Sequence, residues 1–207
     1  MFELPTAGIR LRAFRPLVDL EYISSLLEDA EVNRLSTRGF TVPQGERGKQ
    51  RYREDIEKHA EMFCVAETIT QPPVIESTEM LNLNNWKEPE FVGFSVLWEG
   101  SERGMRHSTF SIILARKFWG RGYGKEITRF MVDYAFRNLN MHRISLEVVE
   151  GNDRAIRLYQ DCGFLLEGRQ RKSHWVDGGW RDVFQMGILI DDWISAKDSD
   201  TSDDNSA

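Results

Sequence analysis

The sequence is short of cysteine, of basic charge and of long apolar runs, and each shortage removes a class of protein. Two cysteines in 207 residues, Cys64 and Cys162, build no disulfide framework, and their separation suits no zinc site. They read as reduced thiols, which places the protein in the cytoplasm, with the nucleus not excluded. Four histidines show no ligand spacing, so no metal is expected. No apolar run approaches the roughly 20 residues of a membrane span, and the first residues lack the apolar core of a secretory signal. Basic residues number 27 against 33 acidic ones, for a net charge of −6. A nucleic-acid partner needs a basic face, so none is expected. Half of that charge sits in 196–207, where four Asp face one Lys. That stretch reads as a disordered acidic tail behind a single domain over 1–195.

What remains is an ordinary globular composition, 41% hydrophobic and 29% charged. "IRLRAF" alternates Ile9, Leu11 and Ala13 with Arg10 and Arg12, the period of a half-buried strand. Pro16 opens a helix carrying Leu20, Ile23, Leu27 and Ala30 at helical spacing. A polar helix follows over about 46–62, then strands over 63–69 and 91–98. Residues 70–90, with three prolines, exceed any hairpin connection and read as an inserted loop. A strand over 108–114, a helix over 125–139, a strand over 142–149 and a short helix over 152–162 come next. Two closing strands, "FLLEG" and "RDVFQMGILI", are joined through "VDGGW". This order implies an α/β (α+β) domain around one mostly antiparallel sheet.

Between strand 108–114 and the next helix lies "FWGRGYGKE", with glycines at 120, 122 and 124. The first amides of a helix lack carbonyl partners, and with the helix dipole they attract an anion. Glycines let the backbone come close to it, and Arg121 and Lys125 add charge. The turn fails as a Walker A loop, because Glu126 follows Gly124-Lys125 where Ser or Thr is required. It also differs from G-x-G-x-x-G, and the strands before it read as hairpins rather than a βαβ unit.

The turn and the segment after it resemble the GNAT acetyltransferases. The family's coenzyme A turn, [QR]-x-x-G-x-[GA], sits between a strand and a helix as here. Downstream, Asn152, Ala155, Leu158, Tyr159, Gly163, Phe164, Glu167, Gly168, Gly178 and Asp182 follow the second half of a GNAT domain. Trp119 stands in place of the Gln or Arg. That feature resembles the branch with ribosomal-protein-alanine and polyamine acetyltransferases.

The resemblance implies a GNAT fold with helices on both faces of the sheet and splayed strands holding acetyl-CoA. It implies that Trp119, Gly120, Arg121, Gly122, Tyr123, Gly124 and Lys125 grip the pyrophosphate. Ile113 and Leu114 would meet the thioester or pantetheine, which pairs as a false strand between 108–114 and 142–149. Asn152 and Ala155 would border the pantetheine, and Tyr159 would serve the departing thiolate. For the base, His174 and then Glu147 are the candidates, with His107 behind them; a water chain is the alternative. Trp98, Trp175 and Trp180 read as core or rim. The implied reaction is direct acetyl transfer to a primary amine, either a small amine such as a polyamine or a protein N-terminus, by a monomer or homodimer. A non-catalytic acyl-CoA sensor and a transferase of another acyl group stay open.

Overall fold

The computed structural model describes residues 1–4, 6–36, 45–69, 88–100 and 102–203. In chain order the elements are β1 (Phe2–Leu4), β2 (Ile9–Arg12), α1 (Pro16–Glu28), α2 (Ala30–Ser36), α3 (Glu46–His59), β3 (Ala60–Thr68) and β4 (Phe91–Glu99). There follow β5 (His107–Leu114), α4 (Tyr123–Asn138), β6 (Arg143–Val149), α5 (Asp153–Gln160), β7 (Leu165–Val176), β8 (Gly179–Leu189) and α6 (Ile190–Asp203). One eight-stranded sheet runs β1-β2-β3-β4-β5-β6-β8-β7. Every pairing in it is antiparallel except β5 with β6.

Helices cover both faces, because the strands alternate between two apolar clusters. Ile127, Met131 and Ala135 of α4 pack with Leu146, Val148 and Met186 on one side. Ile23 and Leu26 of α1 and Val32 of α2 pack with Phe94, Val96 and Ile113 on the other. In β4 the alternation slips at Val92, where Ala66 pairs with Gly93 but Glu67 with Phe91. This bulge turns Val92 toward the α4 side while Phe94 and Val96 face α1. Gly93 beside it has φ +152°, and a Cβ there would lie 2.1 Å from the Ile113 carbonyl oxygen. Only glycine lets β4 and β5 close at this point.

Several boundaries differ from the sequence reading. β1 was not expected; Phe2 fixes it, its ring 4.9 Å from Phe130 on α4. The first helix breaks at Asp29, whose Oδ1 accepts the amides of Glu31 and Val32 and so starts α2. The polar helix ends at His59 rather than 62, since Ala60 already pairs with Trp98. The expected disordered tail is corrected over 196–203, because α6 runs to Asp203. Trp193 docks its start: Nε1 donates to Asp133 at 2.6 Å and the ring packs on Phe136. The last four residues, and 70–87 of the expected insertion, lie outside the described residues.

The alternating arginines of β2 are not a solvated face. Arg12 donates to both oxygens of Asp19, at 2.7 and 2.8 Å, and through Nε to Glu67 at 2.6 Å. Arg10 donates to the other Glu67 oxygen. The Arg15 amide donates to Asp19, which is fully buried. Strands β2 and β3 and the start of α1 are thus joined by one buried ionic cluster.

Candidate active site

The parallel pair β5–β6 holds only over His107–Arg143, Ser108–Ile144 and Thr109–Ser145. Beyond those rungs the strands diverge, and a cavity of about 420 Å³ opens between Thr109–Leu114 and Glu147–Val149. On its β6 side, β5 therefore carries a stretch of edge with no strand beside it, an arrangement suited to an extended chain. At the far end the slot meets the glycine turn and the first turn of α5.

The turn is built for close approach. Gly120 and Gly122 have φ +75° and +84°, and a Cβ on either would meet nothing within 4 Å. Gly122 is the N-cap of α4, and no side chain caps that helix. Its first amides, with the positive end of the helix dipole, border the slot. Gly124 serves packing instead, since a Cβ there would lie 2.8 Å from Leu158 Cδ1. Trp119 staples the turn to the end of β5 by donating its indole N–H to the Leu114 carbonyl at 2.7 Å. This explains why a tryptophan serves here: its long rigid arm satisfies a strand-end carbonyl.

Asn152 caps α5, its Oδ1 accepting the Ala155 amide at 3.3 Å. Its Nδ2 donates to the Leu35 carbonyl, which ties α2 to the slot. Tyr159 lines the slot between Phe110 and Phe164. Burial pushes its phenol well above the usual range, and nearby Cys162 adds to this. The hydroxyl is a fixed proton donor at neutral pH. Burial likewise raises the Cys162 thiol to about 11, so that sulfur is no nucleophile.

The structure brings Ile113, Leu114, Trp119, the 120–125 turn, Asn152, Ala155 and Tyr159 to one cavity, with Glu147 on its β6 wall. It does not bring His174 there. That residue is buried in β7 opposite Arg181, and its Nε2 has no hydrogen-bond partner among the described residues. Five residues of β7, Gln170 to His174, face only three of β8, Val183 to Arg181. The displaced backbone is held by Asp182, which accepts the Lys172 amide and Arg169 Nε. The resemblance sets the segment after Phe164 toward the acceptor; here the irregular stretch of β7 leaves His174 buried and off the cavity. His107 also lies off the cavity, at the paired end of β5, its Nε2 2.7 Å from Ser145 Oγ. Burial and then Arg143 keep its pKa below the ordinary imidazole value. Trp98, Trp175 and Trp180 are not among the slot's walls, and the last two meet edge to face at 5.3 Å. Sequence reasoning missed Arg154, Thr109, Ser111, Leu35 and Ser36, which do line it.

The profile of a family described as acetyltransferase (GNAT) domain matches residues 9–165. The chain belongs to this family. Similarity of the GNAT chain to its curated relatives is concentrated in part of its length. A spermidine N(1)-acetyltransferase of Vibrio cholerae is 34% identical over 90 residues, 44% of this chain and 52% of the relative. A putative ribosomal N-acetyltransferase of Bacillus subtilis is 27% identical over 112 residues, 49% and 61% of the two chains. The chain thus spans about half the length of the curated relatives it matches. Over the whole GNAT fold, a crystal structure of spermidine N-acetyltransferase from Vibrio cholerae with CoA and spermine superposes with a TM-score of 0.73. The identity is 25%, covering 91% of this chain and 99% of that one. No described helix of the GNAT chain is long and apolar enough to cross a membrane.

Proposed function

We propose that this chain is an acetyl-CoA-dependent N-acetyltransferase acting by direct transfer on a primary amine, with a small polycationic amine as acceptor. One observation carries the reading: a slot between two splayed strands ends on a turn whose left-handed glycines leave open space beside the uncapped first amides of α4. The residues fit coenzyme A. Backbone amides and left-handed glycines suit a diphosphate, and the bare edge of β5 suits the two amides of a pantetheine arm. Acetyl-CoA supplies an activated carbonyl and a thiolate leaving group.

The chain's own groups do the remaining work. The β5 edge orients the acyl group beside the acceptor, which removes most of the entropic barrier. Tyr159 offers its proton where the thiolate charge develops. Glu147, the one carboxylate among the described residues that line the slot, attracts the ammonium and accepts its proton directly or through water. His174 is given no part. The acceptor class is supported by that carboxylate, by the acidic balance of the chain and by the spermidine acetyltransferases it resembles. Two free cysteines support a cytoplasmic setting.

The test is release of free thiol from acetyl-CoA over a panel of spermidine, spermine, amino sugars and N-terminal peptides. Polyamines are expected to give the highest kcat/KM. If coenzyme A binds and no acceptor is turned over, the sensor reading replaces this one. A second expectation concerns the cradle. Gly122→Ala places a side chain at φ +84° and costs about 1–2 kcal/mol of stability. Its Cβ also enters the open space of the turn, so the Kd for coenzyme A is expected to rise about tenfold or more. Thermal denaturation and calorimetric titration separate the two effects.

A further inference from the structure

Among the described residues three cations line the slot, and their partners differ. Lys125 is committed to Asp161, with Nζ 2.8 Å from Oδ2. Arg121 and Arg154 are held by rings instead. Arg121 Cζ lies 5.3 Å from the centre of the Phe118 ring, and Arg154 Cζ lies 4.2 Å from that of Trp119. Among the described residues neither guanidinium has a carboxylate partner. A ring face fixes a guanidinium plane while leaving its N–H edge available, which suits capture of an anion.

The positions of the two arginines divide the work. Arg121 belongs to the glycine turn and shares its anion. Arg154 comes from the opposite wall, in the first turn of α5. Its ring partner, Trp119, is pinned to the end of β5 by the Leu114 carbonyl. The stack thus spans the wide end of the slot, from the wall that follows β5 to the wall that follows β6. A nucleotide cofactor's diphosphate takes the turn amides and Arg121. A phosphomonoester on the same cofactor carries about −1.5 to −2 at neutral pH and needs a further cation. Arg154 is the slot cation left uncommitted.

We propose that Arg154 reads the 3′-phosphate of coenzyme A, its plane held on the face of Trp119 and its N–H edge turned to a bidentate contact with the phosphate. This rests on the coenzyme A reading of the slot. It makes Arg154 a specificity residue for the phosphorylated cofactor, with no part in acyl transfer.

Calorimetric titration of wild type, Arg154→Ala and Arg154→Lys with coenzyme A, 3′-dephospho-coenzyme A and pantetheine tests it. Wild type is expected to bind coenzyme A about tenfold more tightly than the dephospho form. Arg154→Ala should weaken coenzyme A alone, bringing the ratio close to one, while Arg154→Lys keeps part of it and pantetheine is unaffected. Equal weakening of both nucleotides by Arg154→Ala, or an unchanged ratio, overturns the assignment. Strong binding of both nucleotides by wild type with no preference overturns it while sparing the coenzyme A reading. Failure of wild type to bind either nucleotide overturns both. Arg154 is exposed, so the variants are expected to melt with wild type.

Discussion

Tyr159→Phe is expected to lower kcat about a hundredfold while leaving the Kd for coenzyme A within about twofold. The substitution removes one oxygen and keeps the ring, so the contacts with Phe110 and Phe164 survive. What goes is the proton donor facing the slot. Burial holds that phenol neutral through the working pH range, with Cys162 nearby pushing the same way. The loss should therefore not depend on pH between about 6 and 9, because no ionisation of Tyr159 falls there. Pre-steady-state thiol release, with calorimetry for binding, reads both halves. A variant with near-normal turnover would assign leaving-group stabilisation elsewhere in the slot.

Asp19→Ala is expected to cost about 3–5 kcal/mol and to lower Tm by roughly 10 °C. The carboxylate is fully buried, accepts two bonds from Arg12 and one from the Arg15 amide, and leaves Arg12 partly unpaired when removed. Glu67 in the same cluster gives a pH signature. Burial alone would raise its carboxyl, but hydrogen bonds from Arg12 and Arg10 outweigh that and hold it below the ordinary range. A depressed folded pKa stabilises fully above the unfolded value of about 4.3. That contribution is lost as pH falls through the lower folded value. Glu67→Gln should flatten the acid limb of the stability curve below about pH 5. Chemical denaturation at a series of pH values measures it.

The parts of this molecule legible in its sequence are those fixed by near neighbours. The glycine turn, α4 and α5 declare themselves through helical spacing, a capping Asn152 and left-handed Gly122 and Gly163. Parts settled by distant partners did not show. Arg10 and Arg12 alternate as a solvent face would, and only β3 and α1 turn them into a buried cluster. The acidic composition of 196–203 argued for disorder, yet Trp193 finds Phe136 about sixty positions back and starts a helix. Arg154 stands in the first turn of a recognised helix and has no local signature. Its meaning comes from Trp119, on the other side of the slot.

The short parallel contact between β5 and β6 has a mechanical consequence. Three rungs join the half of the sheet carrying β1–β5 to the half carrying β6–β8, against seven each for β4–β5 and β6–β8, so the seam is a weak line in the middle of the sheet. A pantetheine arm laid along 110–114 would act as mortar in that seam. Bound ligand at a hundred times its Kd would add about 2.7 kcal/mol to global stability. The gain should concentrate as slowed amide exchange along both lips of the seam, at 110–114 and 146–149. A sheet built this way would be stiffest when loaded and most easily parted when empty.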